Sequence, residues 1–388
     1  MKKTIIGLSF LAMLHAQTYE ELLEQALSNN LDLQLMQNRT KAIELEGKID
    51  TRLKNPNVEF EIATFSNKRL LRLPDVGVRT GISQELLLPW VKSDKEALSK
   101  SKVSVAHEHY KLKRLDFIYE FNSLYIEYKK AIEKENLVQK GIEISNTILS
   151  IVEIRFGAGA IARSELLQAQ IEVQNAKTLQ KRLELERVKA KNRLLLFANL
   201  DSSVEVETEH IFLSNKKHTL HPLLNIAKQE QSVAKLELDV ASHPIETVEF
   251  FSEIETEVEQ DIFRVGISVA LPIFNDKSEE KQLAKLKFNN QKLAFSKQER
   301  ALKLEIEQLQ NEILLEKTTK SSYLTLLSKQ EKLLDMYAKS YSIAKVNLLK
   351  LNDLKKELLL NRGKVLECNF AIEQKNIKIS YLQGAYSE

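Results

Sequence analysis

The stretch from residue 92 to 155 contains no proline and only one interior glycine, Gly141, and apolar residues recur along it at three- and four-residue spacing, as at Leu112, Leu115, Ile118 and Tyr119. That pattern predicts one unbroken helix, about 96 Å long at a rise of about 1.5 Å per residue. No compact domain accommodates such a rod. The whole chain is poor in breakers, with 10 Gly and 6 Pro in 388 residues, which disfavours a conventional α/β enzyme rich in glycine-bearing loops. With 29% charged and 43% hydrophobic residues, it is neither a disordered polyelectrolyte nor a bundle of membrane helices.

The prolines reveal a duplication. Asn55-Pro56 closes a helical pattern before an alternating stretch, and His243-Pro244 does so again in the second half of the chain. Leu88-Pro89 ends an alternating stretch before a long charged helix, and Leu271-Pro272 repeats this. Gly81-Ile82-Ser83 recurs as Gly266-Ile267-Ser268, so the three landmarks return at nearly the same separation. The expected organisation is a signal peptide over 1–16, a first repeat over 17–200, a linker over 201–221 and a second repeat over 222–388. The signal reading rests on Lys2 and Lys3, a short apolar run from Ile5 to Leu14 and the small Ala16.

Each repeat reads as helix, two strands, long helix, turn and helix. In the first, a helix covers 19–54, strands cover about 58–65 and 75–88, the long helix about 92–155, and a return helix 163–198. In the second, a helix covers 222–242, strands about 247–258 and 262–271, the long helix about 277–343, and a return helix runs to about 384. The expected fold class is mainly α with a β part, a membrane β part if the strands close into a barrel.

The strands alternate with period two. Val58, Phe60 and Ile62 oppose Glu59 and Glu61; Phe250, Ile254 and Val258 oppose Glu249, Glu253, Glu255 and Glu257; Phe263, Val265 and Ile267 oppose Arg264, Gly266 and Ser268. Such dyads suit a barrel wall with lipid outside and water within, and equally a soluble sheet lying on helices. Open edges are not tolerated in lipid and four strands cannot close, so a membrane reading requires an oligomer; three copies supply twelve strands. Glu59, Glu61, Glu249, Glu253, Glu255 and Glu257, set against Arg79 and Arg264, then line a pore, where their carboxylates either favour cations or merely keep the wall wet and the strands soluble during export.

At this point the residues resemble the TolC-like outer-membrane efflux proteins. YEELLEQALSNNLDLQLMQ (19–37) is similar to that family's opening helix, and FGAGAIARSELLQAQIEVQNA (156–176) to its first turn segment. GISQELLLP (81–89) resembles the metal-exporting branch. The resemblance implies a homotrimer with a twelve-stranded β-barrel in the outer membrane and a long α-helical barrel in the periplasm. It also implies a periplasmic adaptor and an inner-membrane pump as partners, and a passive duct with a lean towards heavy-metal cations. The adaptor would meet two turns per chain, at Gly157, Gly159, Arg163, Ser164 and Glu165 in the first and at Ala344 and Asn347 in the second, with Ser164 expected to cap the returning helix. The alternative is a soluble periplasmic coiled-coil adaptor or scaffold.

No phosphate-binding loop, nucleophile elbow or zinc signature is present, and no enzyme activity, cofactor or metal site is expected. His107 and His109 point to different sides of a helix, while His218 and His221 are read as ordinary loop histidines. The formal charge of +3 does not call for nucleic acid. Cys368, alone, excludes an intramolecular disulfide and reads as a small packed residue.

Overall fold

The structure, a computed structural model, describes residues 16–64, 76–213, 220–257, 260–343 and 345–385. The expected leader, His218, Val258 and Ala344 lie outside these residues, apart from Ala16 at the leader's end. In chain order the elements are α1 (Tyr19–Ser28), α2 (Leu31–Thr51), β1 (Asn57–Thr64), β2 (Val76–Leu87), α3 (Pro89–Gly157) and α4 (Arg163–Phe197). The second repeat follows as α5 (Pro222–Ala241), β3 (Thr247–Thr256), β4 (Asp261–Ser268), α6 (Ser278–Ser342) and α7 (Leu348–Leu382).

The helix expected over 19–54 is two helices, because the Asn-Asn pair both ends one and starts the next. Asn29 is the C-cap of α1, and the Leu33 N–H donates to Asn30 Oδ1 at 2.9 Å at the start of α2. The entry to α1 is a capping box: the Glu21 N–H donates to Thr18 Oγ1, and the Thr18 N–H donates to the Glu21 carboxylate. Asn199, just past α4, and Gly384, just past α7, both adopt positive φ, 54° and 68°, at matching places in the two repeats.

The chain forms two compact units, and α2, α3 and α6 contribute to both. One unit holds α1, α4, α7, the 200–213 segment and the later parts of α3 and α6. Its larger core is aromatic: Tyr19, Phe117, Phe121, Tyr125, Phe212 and Phe370 pack with Leu22, Leu194 and Leu195. Buried hydroxyls there are satisfied, Tyr19 donating to Asn122 Oδ1 at 2.6 Å and Tyr125 to the Glu207 carbonyl at 2.8 Å. Part of the expected linker belongs to this core, since Val206 bridges Gln17 and the Asn376 side chain donates to the Phe212 carbonyl. Cys368 is buried in α7.

The other unit holds α5, the four strands, most of α2 and the early parts of α3 and α6. The strands form a single antiparallel sheet in the order β1-β2-β3-β4, a meander in which the two hairpins join through β2 and β3. β4 stops at Ser268, short of the expected 271, because its pairing with β3 runs out at Glu249 and Pro272 follows shortly after. Among the described residues no helix is long and apolar enough to cross a membrane.

Candidate functional site: the amphiphilic sheet and the helical turns

Strand register decides which side chains share a face. Glu59 lies across from Gly81, Gly81 from Glu253 and Glu253 from Arg264; in the next row Glu61 faces Arg79, which faces Glu255. Glu249 pairs with Glu85 on one side and Ser268 on the other. Seven of the eight residues singled out as pore-lining therefore stand on one face of one sheet. The eighth, Glu257, falls beyond the end of β3 in the turn, where its N–H donates to the Gln260 carbonyl. Glu85 belongs to the same face and was missed in sequence, although its period-two phase with Arg79 marks it.

This face is internally paired. Arg264 reaches Glu253 at 2.7 Å and Glu255 at 2.6 Å, and Arg79 lies 3.4 Å from Glu61 and 3.6 Å from Glu255. Lys54, from the segment before β1, binds Glu85 at 2.7 Å. Among the described residues Glu59 and Glu249 have no ion-pair partner. The strands carry six acids to two arginines on this face, so it remains acidic after pairing.

The opposite face is apolar and open. Phe60 is 65% exposed, Ile254 54%, Phe263 67% and Val265 73%, with Val58, Ile62, Ile82, Phe250 and Ile267 also exposed. Nine large apolar side chains on one face of four strands form a patch that water does not favour. Just behind the sheet, Glu246 accepts hydrogen bonds from Lys95 and Lys277, and His243 lies 2.7 Å from Asp94. Burial of the Glu246 carboxyl would raise its pKa, but the two lysines hold it below the ordinary value.

The turns lie in the other unit. α3 closes with a Schellman motif: Gly159 has φ +68°, its N–H donates to the Phe156 carbonyl, and the Ala160 N–H donates to the Arg155 carbonyl. The N-cap of α4 is Ala162, which offers no side-chain bond, so Ser164 does not cap the helix as expected; it lies one residue inside the helix start at Arg163. In the second turn the Lys345 N–H donates to the Ser340 carbonyl, the counterpart of the Ala160 bond in the first. Asn347 does cap α7, accepting from the Lys350 N–H at 3.0 Å.

Two contacts tie these hairpins together. Arg155 donates to the Tyr341 carbonyl at 2.9 Å with its guanidinium 4.4 Å from that ring's centre, and Tyr341 Oη donates to Glu165 at 2.9 Å. Burial, reinforced by Glu165, pushes the Tyr341 hydroxyl up to about 12. Deeper in, the buried Lys355 ammonium binds Glu172 at 3.1 Å and Ser145 at 3.2 Å. Burial would raise the Glu172 carboxyl, yet Lys355 and Lys356 hold it below the ordinary range. His221 is buried against Tyr381 and pushed down to about 4 by that burial, with Lys378 adding to the effect. Among the described residues no group of three or more His, Cys, Asp or Glu is placed to hold a metal ion.

The sheet thus has one greasy and one acidic face, in a chain whose two longest helices run to 69 and 65 residues. Residues 22–199 match the sequence family described as outer membrane efflux protein. Solved structures share the fold along nearly the whole length. CusC, reported for its folding and transmembrane channel formation, is 14% identical with a TM-score of 0.79, over 94% of this chain and 91% of that one. The outer membrane protein VceC of Vibrio cholerae is 14% identical with a TM-score of 0.79, over 94% and 95%. The CmeC outer membrane channel of Campylobacter jejuni is 16% identical with a TM-score of 0.74, over 94% and 85%. No curated protein matches the chain by sequence. The first repeat is thus similar in sequence to the outer membrane efflux protein family, and the whole length shares its fold with solved outer membrane channels.

Proposed function

We propose that the chain is the outer-membrane duct of a tripartite efflux system, a homotrimer whose twelve strands close a barrel in the outer membrane while the helices line a passage through the periplasm. The observation that carries this reading is the sheet: an exposed apolar face, a carboxylate face behind it, and strands β1 and β4 each with one edge that no described strand covers. Lipid takes the apolar face, water the acidic one, and sister chains the edges. Glu59, Glu61, Arg79, Glu249, Glu253, Glu255 and Arg264 then line the pore, joined by Glu85, with Glu257 at its rim.

The turns at Gly157, Gly159, Arg163, Ser164 and Glu165, and at Ala344 and Asn347, meet a periplasmic adaptor that couples the duct to an inner-membrane pump. Energy comes from that pump, and the duct conducts passively. Heavy-metal cations are the favoured cargo, supported by the acidic wall and by the likeness of residues 81–89 to the metal-exporting branch. Sucrose-gradient fractionation with heat-modifiable gel mobility tests the reading. Outer-membrane recovery as a heat-dissociable species is expected, whereas a soluble monomer without detergent overturns it. For the cargo, loss of the gene should sensitise cells to metal salts more than to organic drugs; the reverse order overturns the metal assignment.

A further inference from the structure

We propose that the hollow between α2, α3, α5 and α6 binds a small amphipathic zwitterion, an organic molecule with an apolar body and one group of each charge. The hollow lies within one chain, in the unit that carries the sheet, so the inference does not rest on the assembly proposed above. It adds an organic ligand to the metal cargo favoured there. The volume is about 720 Å³, inside the range of roughly 300–1,000 Å³ typical of small-molecule sites.

The two central helices build the hollow from one short pattern. α3 carries Lys102, Ser104-Val105-Ala106 and His109, and α5 carries Glu230, Ser232-Val233-Ala234 and Glu237 at the same spacing. Residues three, four and seven apart share a helix face, so in each helix Val and Ala line the hollow between two titratable side chains. Ala106 and Ala234 are 8% and 5% exposed and form the floor, and their short side chains leave the space above it. Met36 and Ile43 on α2 complete the apolar lining.

Charge selects the occupant. α3 leaves the sheet and α5 returns to it, in a register fixed by the contact of Asp94 with His243, so Lys102 lies with Glu237 at the sheet end and His109 with Glu230 at the other. α3 thus lines the hollow with basic side chains and α5 with acidic ones, across one apolar floor. α6 adds Lys287, and α2 adds Arg39 and Glu46. Among the described residues none of Arg39, Glu46, Lys102, Glu230, Glu237 and Lys287 has a side-chain partner within ion-pair or hydrogen-bond reach. Elsewhere on the same helices such charges do close, as Lys48 on Glu44 and Lys111 on Glu108. A ligand of one sign answers one wall and sets the other against an apolar body, whereas a ligand of both signs answers both.

The test titrates the full chain, in phosphatidylcholine nanodiscs, into rhodamine B, which carries a cationic ring system and a carboxylate, and reads fluorescence anisotropy against empty nanodiscs. Rhodamine 6G, cationic only, and fluorescein, anionic only, are the comparison dyes. Rhodamine B should bind about tenfold more tightly than either. Glu230→Gln with Glu237→Gln should shift the preference to fluorescein, and Lys102→Gln with Lys287→Gln should shift it to rhodamine 6G. Ala106→Phe, which fills the space above the floor, should abolish binding of all three dyes; retained binding overturns the site. The charge variants sit at exposed or half-buried positions and decide the matter where Ala106→Phe does not assemble. Equal affinity for the three dyes, or charge variants that leave their order unchanged, overturns the site and leaves the duct standing. A chain recovered as a soluble monomer that still prefers rhodamine B overturns the duct and leaves the site.

Discussion

Phe251 stands on the acidic face of the sheet, where its ring folds over Gly266; a Cβ at residue 266 would sit 2.5 Å from that ring. A side chain at 266 would therefore force the Phe251 ring to move. Gly266→Val should lower assembled yield and thermal midpoint, and adding Phe251→Ala should recover part of the loss, as read by the heat-resistant band on a gel. His221 offers a different kind of test. Its folded pKa of about 4 lies below the ordinary 6.5, so the unfolded chain takes up the proton first and stability falls as pH drops from 6.5 towards 4. At pH 5 the cost is about 2 kcal/mol. Thermal midpoints at pH 7.5 and pH 5 should differ less for His221→Phe than for the wild type; an equal shift would contradict the account. At this scale the phase of the acids was legible because side chains alternate without exception along a strand. The burial of His221 was not, since it depends on Tyr381, which arrives only with the end of the last helix.

At the scale of elements, the two turns share one backbone plan but different chemistry. The first relies on Gly159 at positive φ and an uncapped Ala162; the second has Asn347 as a side-chain cap. Replacing Asn347 with Ala should cost about 1 kcal/mol and fray the start of α7, measurable by hydrogen exchange at Leu348–Leu351. A β-branched residue at Gly159 is strained by roughly 1–2 kcal/mol. Gly159→Val should therefore abolish export while barrel assembly, read from the heat-modifiable band, is retained; intact resistance in cells would remove the turn from the docking surface. Sequence marked the first turn through the glycines of residues 155–160, because helix-breaking composition acts locally, and placed the second from it through the repeat only to within a few residues. It misassigned the cap to Ser164, since the helix starts two residues earlier than that hydroxyl needs, and it did not show the Arg155, Tyr341 and Glu165 clamp, which joins elements far apart in the chain.

For the whole molecule, the proposed duct would take its preference from the acidic face. Exchanging Glu253 and Glu255 for lysine turns six acids and two bases per chain into four of each and strips Arg264 of both its partners. Reversal potentials in planar bilayers should then lose or invert a cation preference, and unchanged selectivity would discard the idea that this wall discriminates by charge. Fold class was readable because long helices and period-two strands are properties of contiguous sequence. The pairing of β2 with β3 was not, being a choice among several ways of joining two hairpins. That choice leaves β1 and β4 at the margins, with consequences for biogenesis. On the proposed reading, a newly exported chain is an adhesive orphan until its sisters arrive, and its safety depends on how long it waits. Synthesis faster than insertion should feed envelope proteases and chaperones before it yields any additional conduits.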